Sequence, residues 1–261
     1  MPACIMKVEI AFDKSAQQNA DRYYTMSKSA KRKAAGAAAA ITELGERKGN
    51  AQKGMVKREL KETRQRKWYE KFNWFFASDG SLVIGGRSAK QNEEINSKHF
   101  DSGDLFFHAD IFGASVTILK AGEKAGPGIR EEAAAFAAAY SKAWESGASS
   151  ANVYAMRRSQ VSKSKEKGSL GTGSFLLEGE REWHKGIALE LAAFISENKD
   201  HGGFSIAPTT TASRLGIKFH TTIRPGKDKK SDAAKRISKI LKYGDLDYIM
   251  QHLPPGSFSI S

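Results

Sequence analysis

His108 and Asp110 stand two residues apart at the end of an apolar run, Asp104-Leu105-Phe106-Phe107-His108, with Asp79 a further acid upstream. On a β-strand that spacing puts both side chains on one face. An imidazole beside a carboxylate is equipment for general acid–base catalysis or for metal-assisted phosphodiester cleavage. The same spacing lets the two hydrogen-bond each other and brace the turn to Gly113, and this structural or RNA-contacting role is the preferred reading. Other reactive signatures fail on inspection. Gly122-Glu123-Lys124-Ala125-Gly126-Pro127-Gly128-Ile129 lacks the G-K-[ST] ending of a phosphate-binding loop. The glycine-rich stretch 168–174 does not lie between a strand and a long helix, as a dinucleotide fingerprint requires. One cysteine, Cys4, and six scattered histidines form no zinc cluster. The sequence therefore predicts no catalytic residue, no metal and no cofactor: a binding protein and not an enzyme.

Cations give the stronger signal. Between residues 157 and 167, Arg157, Arg158, Lys163, Lys165 and Lys167 face a single acid, Glu166, and are interleaved with Ser and Gln. That mixture suits phosphate and ribose oxygens, and arginine can also stack on an exposed base. The bland alternative is a solvated loop. Lys227, Lys229 and Lys230 form a second cationic loop, and Lys57, Lys61 and Arg64 recur at i, i+4 and i+7 on a helical face that could equally be merely solvated.

These groups must be positioned by two kinds of architecture. Ala16, Ala20, Tyr23, Ser27, Ala30, Ala34, Ala37, Ile41 and Leu44 alternate in steps of four and three, the seam of a coiled coil. Gly45, Gly49 and Asn50 interrupt it, and a second helix is expected from about Gln52 to Lys67, so residues 14–67 read as an antiparallel helical hairpin after an N-terminal segment, 1–13. Residues 1–71 hold 17 Lys and Arg against 8 Asp and Glu, which puts most of the chain's surplus cations on this arm.

From Trp68 the period changes to two. Phe72, Trp74 and Phe76 alternate onto one face, Ser78-Asp79-Gly80 supplies a turn, and Ser81-Leu82-Val83-Ile84 returns as a hairpin. Helices are expected at 88–98, 130–145, 231–242 (capped by Ser231 or Asp232) and 245–252. Strands are expected at 104–108, 115–119, 151–156, 174–178, 187–195 and 217–223. Phe136, Tyr140 and Trp144, at i, i+4 and i+8, should pack on the sheet. The whole is an α+β fold with a mixed or antiparallel sheet, divided as 68–180 and a C-terminal α+β extension, 181–261.

Lys and Arg number 42 and Asp and Glu 29, a net charge of +13 that favours polyanions, nucleic acid before anionic membrane. A single cysteine fits a reducing compartment. No stretch reaches the roughly 18 apolar residues of a membrane span, and the start has no secretory core, so a cytosolic protein without membrane insertion is expected.

The residues from Trp68 onward also resemble a known family. Trp68-Tyr69-Glu70-Lys71-Phe72, Ser78-Asp79-Gly80, Leu82-Val83-Ile84-Gly85-Gly86-Arg87, Asn92-Glu93, Gly103-Asp104, His108-Ala109-Asp110, Gly113-Ala114, Tyr140-Ser141, Trp144, Val161-Ser162-Lys163 and Gly173-Ser174-Phe175 look like the NFACT-R domain in order and spacing. Ser15-Ala16, Asn19-Ala20 and Tyr23-Tyr24 resemble the coiled-coil region of archaeal members, and Pro225-Gly226-Lys227 and Leu253-Pro254-Pro255-Gly256 their C-terminal tail. The resemblance is to the C-terminal half of the RqcH/NEMF ribosome quality-control factors. It implies a protein that binds the large subunit of a split, stalled ribosome and holds tRNA there during tailing of the nascent chain, without active-site chemistry. The NFACT-N and helix–hairpin–helix parts, with their Asp-Arg motif, have no counterpart in these residues. Tailing by this chain alone is therefore not expected, and a separately encoded NFACT-N half is an expected partner. Asn73 replaces a frequent Arg and Phe112 a frequent His, so contacts at those two positions do not carry over.

The combined expectation is a protein contacting large-subunit rRNA, tRNA or both. Lys57, Lys61 and Arg64 would provide long-range attraction. Arg87, Asn92, His108, Asp110, Arg157, Arg158, Lys163, Lys165 and Lys167 would form the shaped interface. A general nucleic-acid binder without a ribosomal role is the alternative, and a metal-dependent nuclease centred on His108 and Asp110 the least favoured one.

Overall fold

The computed structural model describes residues 8–38, 66–163, 171–196 and 203–261, in two compact units that divide between Arg66 and Lys67. In the first, residues 16–38 are helical (α1). The helix starts where Ser15 and Gln18 cap it reciprocally: the Gln18 backbone N–H donates to Ser15 Oγ at 3.2 Å, and the Ser15 N–H to Gln18 Oε1 at 3.0 Å. Buried Asn19 clamps the preceding chain by exchanging two 3.0 Å hydrogen bonds with the Ala11 backbone, and Tyr23 Oη donates to Glu9 O at 2.6 Å. Along α1 the alanine seam is exposed, with Tyr23 half-buried. Ile41, Leu44 and the expected second helix of the hairpin lie outside the described residues.

In the second unit, a 3-10 turn at Trp68–Lys71 leads into β1 (Asn73–Phe76), which pairs antiparallel with β2 (Leu82–Gly85) in the register Trp74 with Ile84. Then follow α2 (Ala89–Lys98), capped by the Ser88 hydroxyl, β3 (Leu105–Ala109) and β4 (Thr117–Leu119). Next come α3 (Pro127–Ala139), α4 (Lys142–Glu145), β5 (Ser150–Arg157), the short pair β6 (Val161–Ser162) and β7 (Leu176–Leu177), and β8 (Glu182–Ala188). The chain finishes with β9 (Leu191–Ile195), β10 (Phe204–Pro208), α5 (Thr209–Arg214), β11 (Thr221–Asp228), α6 (Lys230–Leu241), α7 (Leu246–His252) and β12 (Phe258–Ile260). The larger sheet runs β1-β2-β4-β3-β5-β8 and the smaller one β10-β9-β11-β12, with antiparallel pairing throughout. This is the expected α+β class.

Strand alternation builds the two cores. Leu105, Phe107 and Ala109 of β3 join one apolar cluster, while Phe106 joins another on the opposite face of the sheet, where α2 and the 3-10 turn pack. α3 is buried on every side from Glu132 to Ala139, and its alanines let it lie close against both sheets. Phe136, Tyr140 and Trp144 are all buried as expected.

The expected single helix over 130–145 breaks at Tyr140–Ser141. There Ser141 Oγ donates to Ala138 O at 2.7 Å and accepts from Ala143 N at 3.2 Å, ending one helix and starting the next. The stretch Pro225-Gly226-Lys227 is strand and not loop: β11 carries it through a bulge opposite Phe258. In consequence α6 starts one residue earlier than expected, with Lys229 at its N-cap position and not Ser231 or Asp232. The strand expected at 187–195 is two, β8 in the larger sheet and β9 in the smaller, and β6, β10, α5 and β12 have no counterpart in the sequence reading. The strand expected at 174–178 shrinks to two residues.

Candidate nucleic-acid interface

A cleft of about 440 Å³ opens where the β2–α2 corner meets α4, α6 and the end of α7. The Gly86 backbone comes close to Asn92 here. A Cβ on Gly86 would fall 2.0 Å from Asn92 Oδ1. Asn92 accepts from Val116 N at 3.3 Å and so braces this corner. Arg87 lines the cleft, donating from Nε to Asn73 Oδ1 at 3.0 Å and from Nη2 to Phe72 O at 2.8 Å. Burial lowers its pKa. Lys230 reaches the same cleft from the start of α6 and donates to Leu253 O at 2.9 Å. Its pKa is lowered first by burial and then by the Arg87 charge. Lys142 lines the rim, 5.6 Å from the centre of the exposed Phe112 ring.

A second cationic group lies at the end of β5. Exposed Arg157 lines another cleft, of about 460 Å³, whose arginines Arg130, Arg157 and Arg181 are mixed with Glu123, Glu180 and Glu182. Arg130 pairs with Glu182 at 2.8 Å. Arg158 is half-buried, its guanidinium 5.0 Å from the Phe100 ring centre and donating to Val161 O at 2.7 Å. Lys163 forms an ion pair with Glu93. Lys165 and Lys167, like Lys57, Lys61 and Arg64, lie outside the described residues.

His108 does not brace Asp110. Its Nδ1 lies 3.2 Å from Tyr154 Oη, because β3 and β5 are in register at this pair, and Asp110 sits exposed in the turn with its N–H on Asn152 O at 2.8 Å. Burial lowers the His108 pKa. Tyr154 in turn faces Trp183 of β8, so His108, Tyr154 and Trp183 form a row of rings across three strands. The Arg181 guanidinium caps the row, 4.4 Å from the Tyr154 ring centre and 5.9 Å from that of Trp183, and Trp183 is 43% exposed. Sequence reasoning missed Tyr154, Arg181 and Trp183. The signal was an arginine two residues ahead of a tryptophan at the start of β8. Among the described residues no group of three or more His, Cys, Asp or Glu side chains could hold a metal ion, and no helix is long and apolar enough to cross a membrane.

Residues 71–179 match the family model of the NFACT protein RNA binding domain. The Archaeal Rqc2 homolog aRqcH of Methanocaldococcus jannaschii is 35% identical over 213 residues, 80% of this chain and 31% of the relative. The ribosome quality control complex subunit NEMF homolog of Drosophila melanogaster is 37% identical over 187 residues, 69% of this chain and 18% of the relative. Its human counterpart is 34% identical over 180 residues, 64% of this chain and 16% of the relative. The chain thus spans a third or less of the length of these curated relatives. The C-terminal part of a fibronectin/fibrinogen-binding protein from Streptococcus suis is similar with a TM-score of 0.40 and 21% identity, over 53% of this chain and 50% of that one.

Proposed function

We propose that this chain, which carries an NFACT-R domain and is homologous to aRqcH over 80% of its length, binds large-subunit rRNA, tRNA or both in the cytosol during rescue of stalled ribosomes. The observation that carries this reading is the placing of guanidinium groups beside rings at one end of the larger sheet. Arg181 lies over Tyr154 and Trp183, and Arg157 and Arg158 close the neighbouring strand. Cations supply the sequence-independent attraction to phosphate, and exposed rings give unpaired bases a surface to stack on. Arg181 is the strongest phosphate contact in this reading, and Arg157, whose Nε lies 3.9 Å from Glu123, comes after it. Lys163 contributes less, its charge being shared with Glu93. Lys57, Lys61, Arg64, Lys165 and Lys167 extend the positive field. Asn92 and His108 act through the local fold. The proposed task is binding, with His108 engaged by Tyr154 and Asp110 turned to solvent rather than forming a pair.

Sedimentation of the chain with purified large subunits tests the reading. Co-migration at low salt is expected, lost progressively as salt rises. Each phosphate contact should steepen the dependence by roughly 0.7–0.9 log units per log unit of salt. Equal affinity for duplex DNA and for rRNA would replace the ribosomal reading with a general nucleic-acid binder, and an affinity insensitive to salt would sink both.

A further inference from the structure

Arg87, Lys142 and Lys230 come from the end of β2, the start of α4 and the start of α6, yet they line one cleft. Among the described residues none of the three has a carboxylate within ion-pair distance. Arg87 and Lys230 are instead held by neutral acceptors, the Asn73 side chain and the carbonyls of Phe72 and Leu253. Neutral acceptors fix the geometry and leave the charge intact. Arg87 is exposed and Lys230 half-buried, and two like charges lining one cleft repel each other unless an anion sits between them.

The donors left over are of the right kind. A guanidinium has five N–H groups and an ammonium three. Arg87 spends two and Lys230 one on the protein, and Lys142 spends none on the described residues. Gly86 leaves the wall between Arg87 and Asn92 without a side chain, and the first residues of α2, Ser88 and Ala89, complete that wall. Glu145 is the one acid of the lining. Three cations and one carboxylate leave an excess of two positive charges. A phosphodiester carries one negative charge, a phosphomonoester about 1.5 to 2 at neutral pH. The monoester matches. A volume of about 440 Å³ holds a nucleotide-sized group and excludes a duplex.

We propose that the cleft between Arg87, Lys142 and Lys230 is a receptor for the terminal phosphomonoester of a single-stranded RNA. This deepens the RNA-binding reading and rests on it. The site was not legible before folding, because Arg87 and Lys230 are far apart in the chain and belong to different sheets' flanks.

The test uses the full chain and labelled single-stranded RNA 12-mers ending in a 5′-phosphate, a 3′-phosphate or hydroxyls only. One phosphorylated end is expected to bind at least tenfold more tightly than the hydroxyl-ended strand. Lys142→Ala and Lys230→Met should each erase that preference, lowering affinity for the phosphorylated strand at least several-fold more than affinity for the hydroxyl-ended strand. Lys142 is exposed and makes no hydrogen bond or ion pair among the described residues, so its variant keeps the test independent of folding. Equal binding of all three strands overturns the inference but leaves RNA binding standing. Failure of every strand to bind overturns both. A preference that survives both variants, or AMP competing as well as the phosphorylated strand, also overturns it.

Discussion

The Glu132 carboxylate, wholly buried on α3, accepts hydrogen bonds from both the backbone N–H and the hydroxyl of Ser78, at 2.8 and 2.6 Å. This contact ties the β1–β2 turn to the central helix. From the other side Thr211 Oγ1 donates at 2.9 Å and Arg214 Nη1 at 3.3 Å, so the same carboxylate also secures α5. One acid thus joins the flanks of the two sheets, and all of its lone pairs find donors.

Replacing Glu132 by Ala should therefore be among the most damaging single changes. It strands the Ser78 N–H and the Thr211 hydroxyl and leaves the Arg214 guanidinium with Glu131 alone, and removing a wholly buried acid with four donors costs about 3–5 kcal/mol. Ser78→Ala removes one neutral donor and should cost about 1–2 kcal/mol. Urea midpoints of the two variants, compared at unchanged m-value, decide the ranking; a Glu132→Ala variant as stable as Ser78→Ala contradicts it.

Stability should also fall in mild acid. His99, His108 and His184 all have pKa values lowered from the ordinary 6.5, in each case chiefly by burial. A depressed pKa means that the unfolded chain takes up protons first. The stabilisation is complete above about pH 6.5 and is lost as pH falls through the folded-state values. His108→Gln, which keeps a polar partner for Tyr154, should flatten part of this slope. A denaturation midpoint that stays level or rises from pH 7 to pH 5 in the parent chain is the contrary result.

Much of this fold is legible in the sequence, and the exceptions share a cause. The β1–β2 hairpin announces itself by alternation around Asp79-Gly80, and α2 by its Ser88 cap. The break in the 130–145 helix is not announced. Its one local sign, Ser141 as the cap of a new helix, is weak beside the alanine run. The break is fixed by tertiary anchors: Tyr140 Oη donates to His252 O and the Trp144 indole to Ser257 O at 3.1 Å. Pro225 and Gly226 carry turn chemistry and so read as a loop, whereas the neighbouring β12 turns them into a bulge. For the candidate interface, sequence could count cations but not sort them. Arg158 and Lys163 prove to be engaged by Phe100, Val161 and Glu93, while Arg181 and Lys142, inconspicuous in the chain, are displayed.

Gly226 makes that bulge possible. A Cβ there would lie 2.4 Å from the backbone carbonyl of Phe258 and from Ser259 N, atoms that cannot swing aside. Gly226→Ala should force β11 and β12 apart, with a loss of at least about 2 kcal/mol. Gly244→Ala, at an open position with no atom within 4 Å and outside any helix, serves as the control and should be nearly neutral. Thermal unfolding of the pair, with similar midpoints, would falsify the packing argument.

The ring row and its arginine make separable contributions to RNA binding. Arg181→Ala removes a charge, so it should weaken binding to every RNA alike and lower the salt slope by roughly 0.7–0.9. It also uncovers Tyr154, which is 5% exposed beneath it. Trp183→Ala removes a stacking surface and no charge. Its salt slope should be unchanged, while affinity for single-stranded RNA falls by about 1–3 kcal/mol and affinity for duplex RNA hardly moves. Phe112→Ala, a ring more open to solvent than Trp183 but outside the row, tests whether exposure alone is enough. Fluorescence anisotropy titrations at three salt concentrations read out all three variants. If Trp183→Ala lowers the salt slope, or weakens duplex and single strand equally, the row is not a stacking surface and the cations alone account for binding.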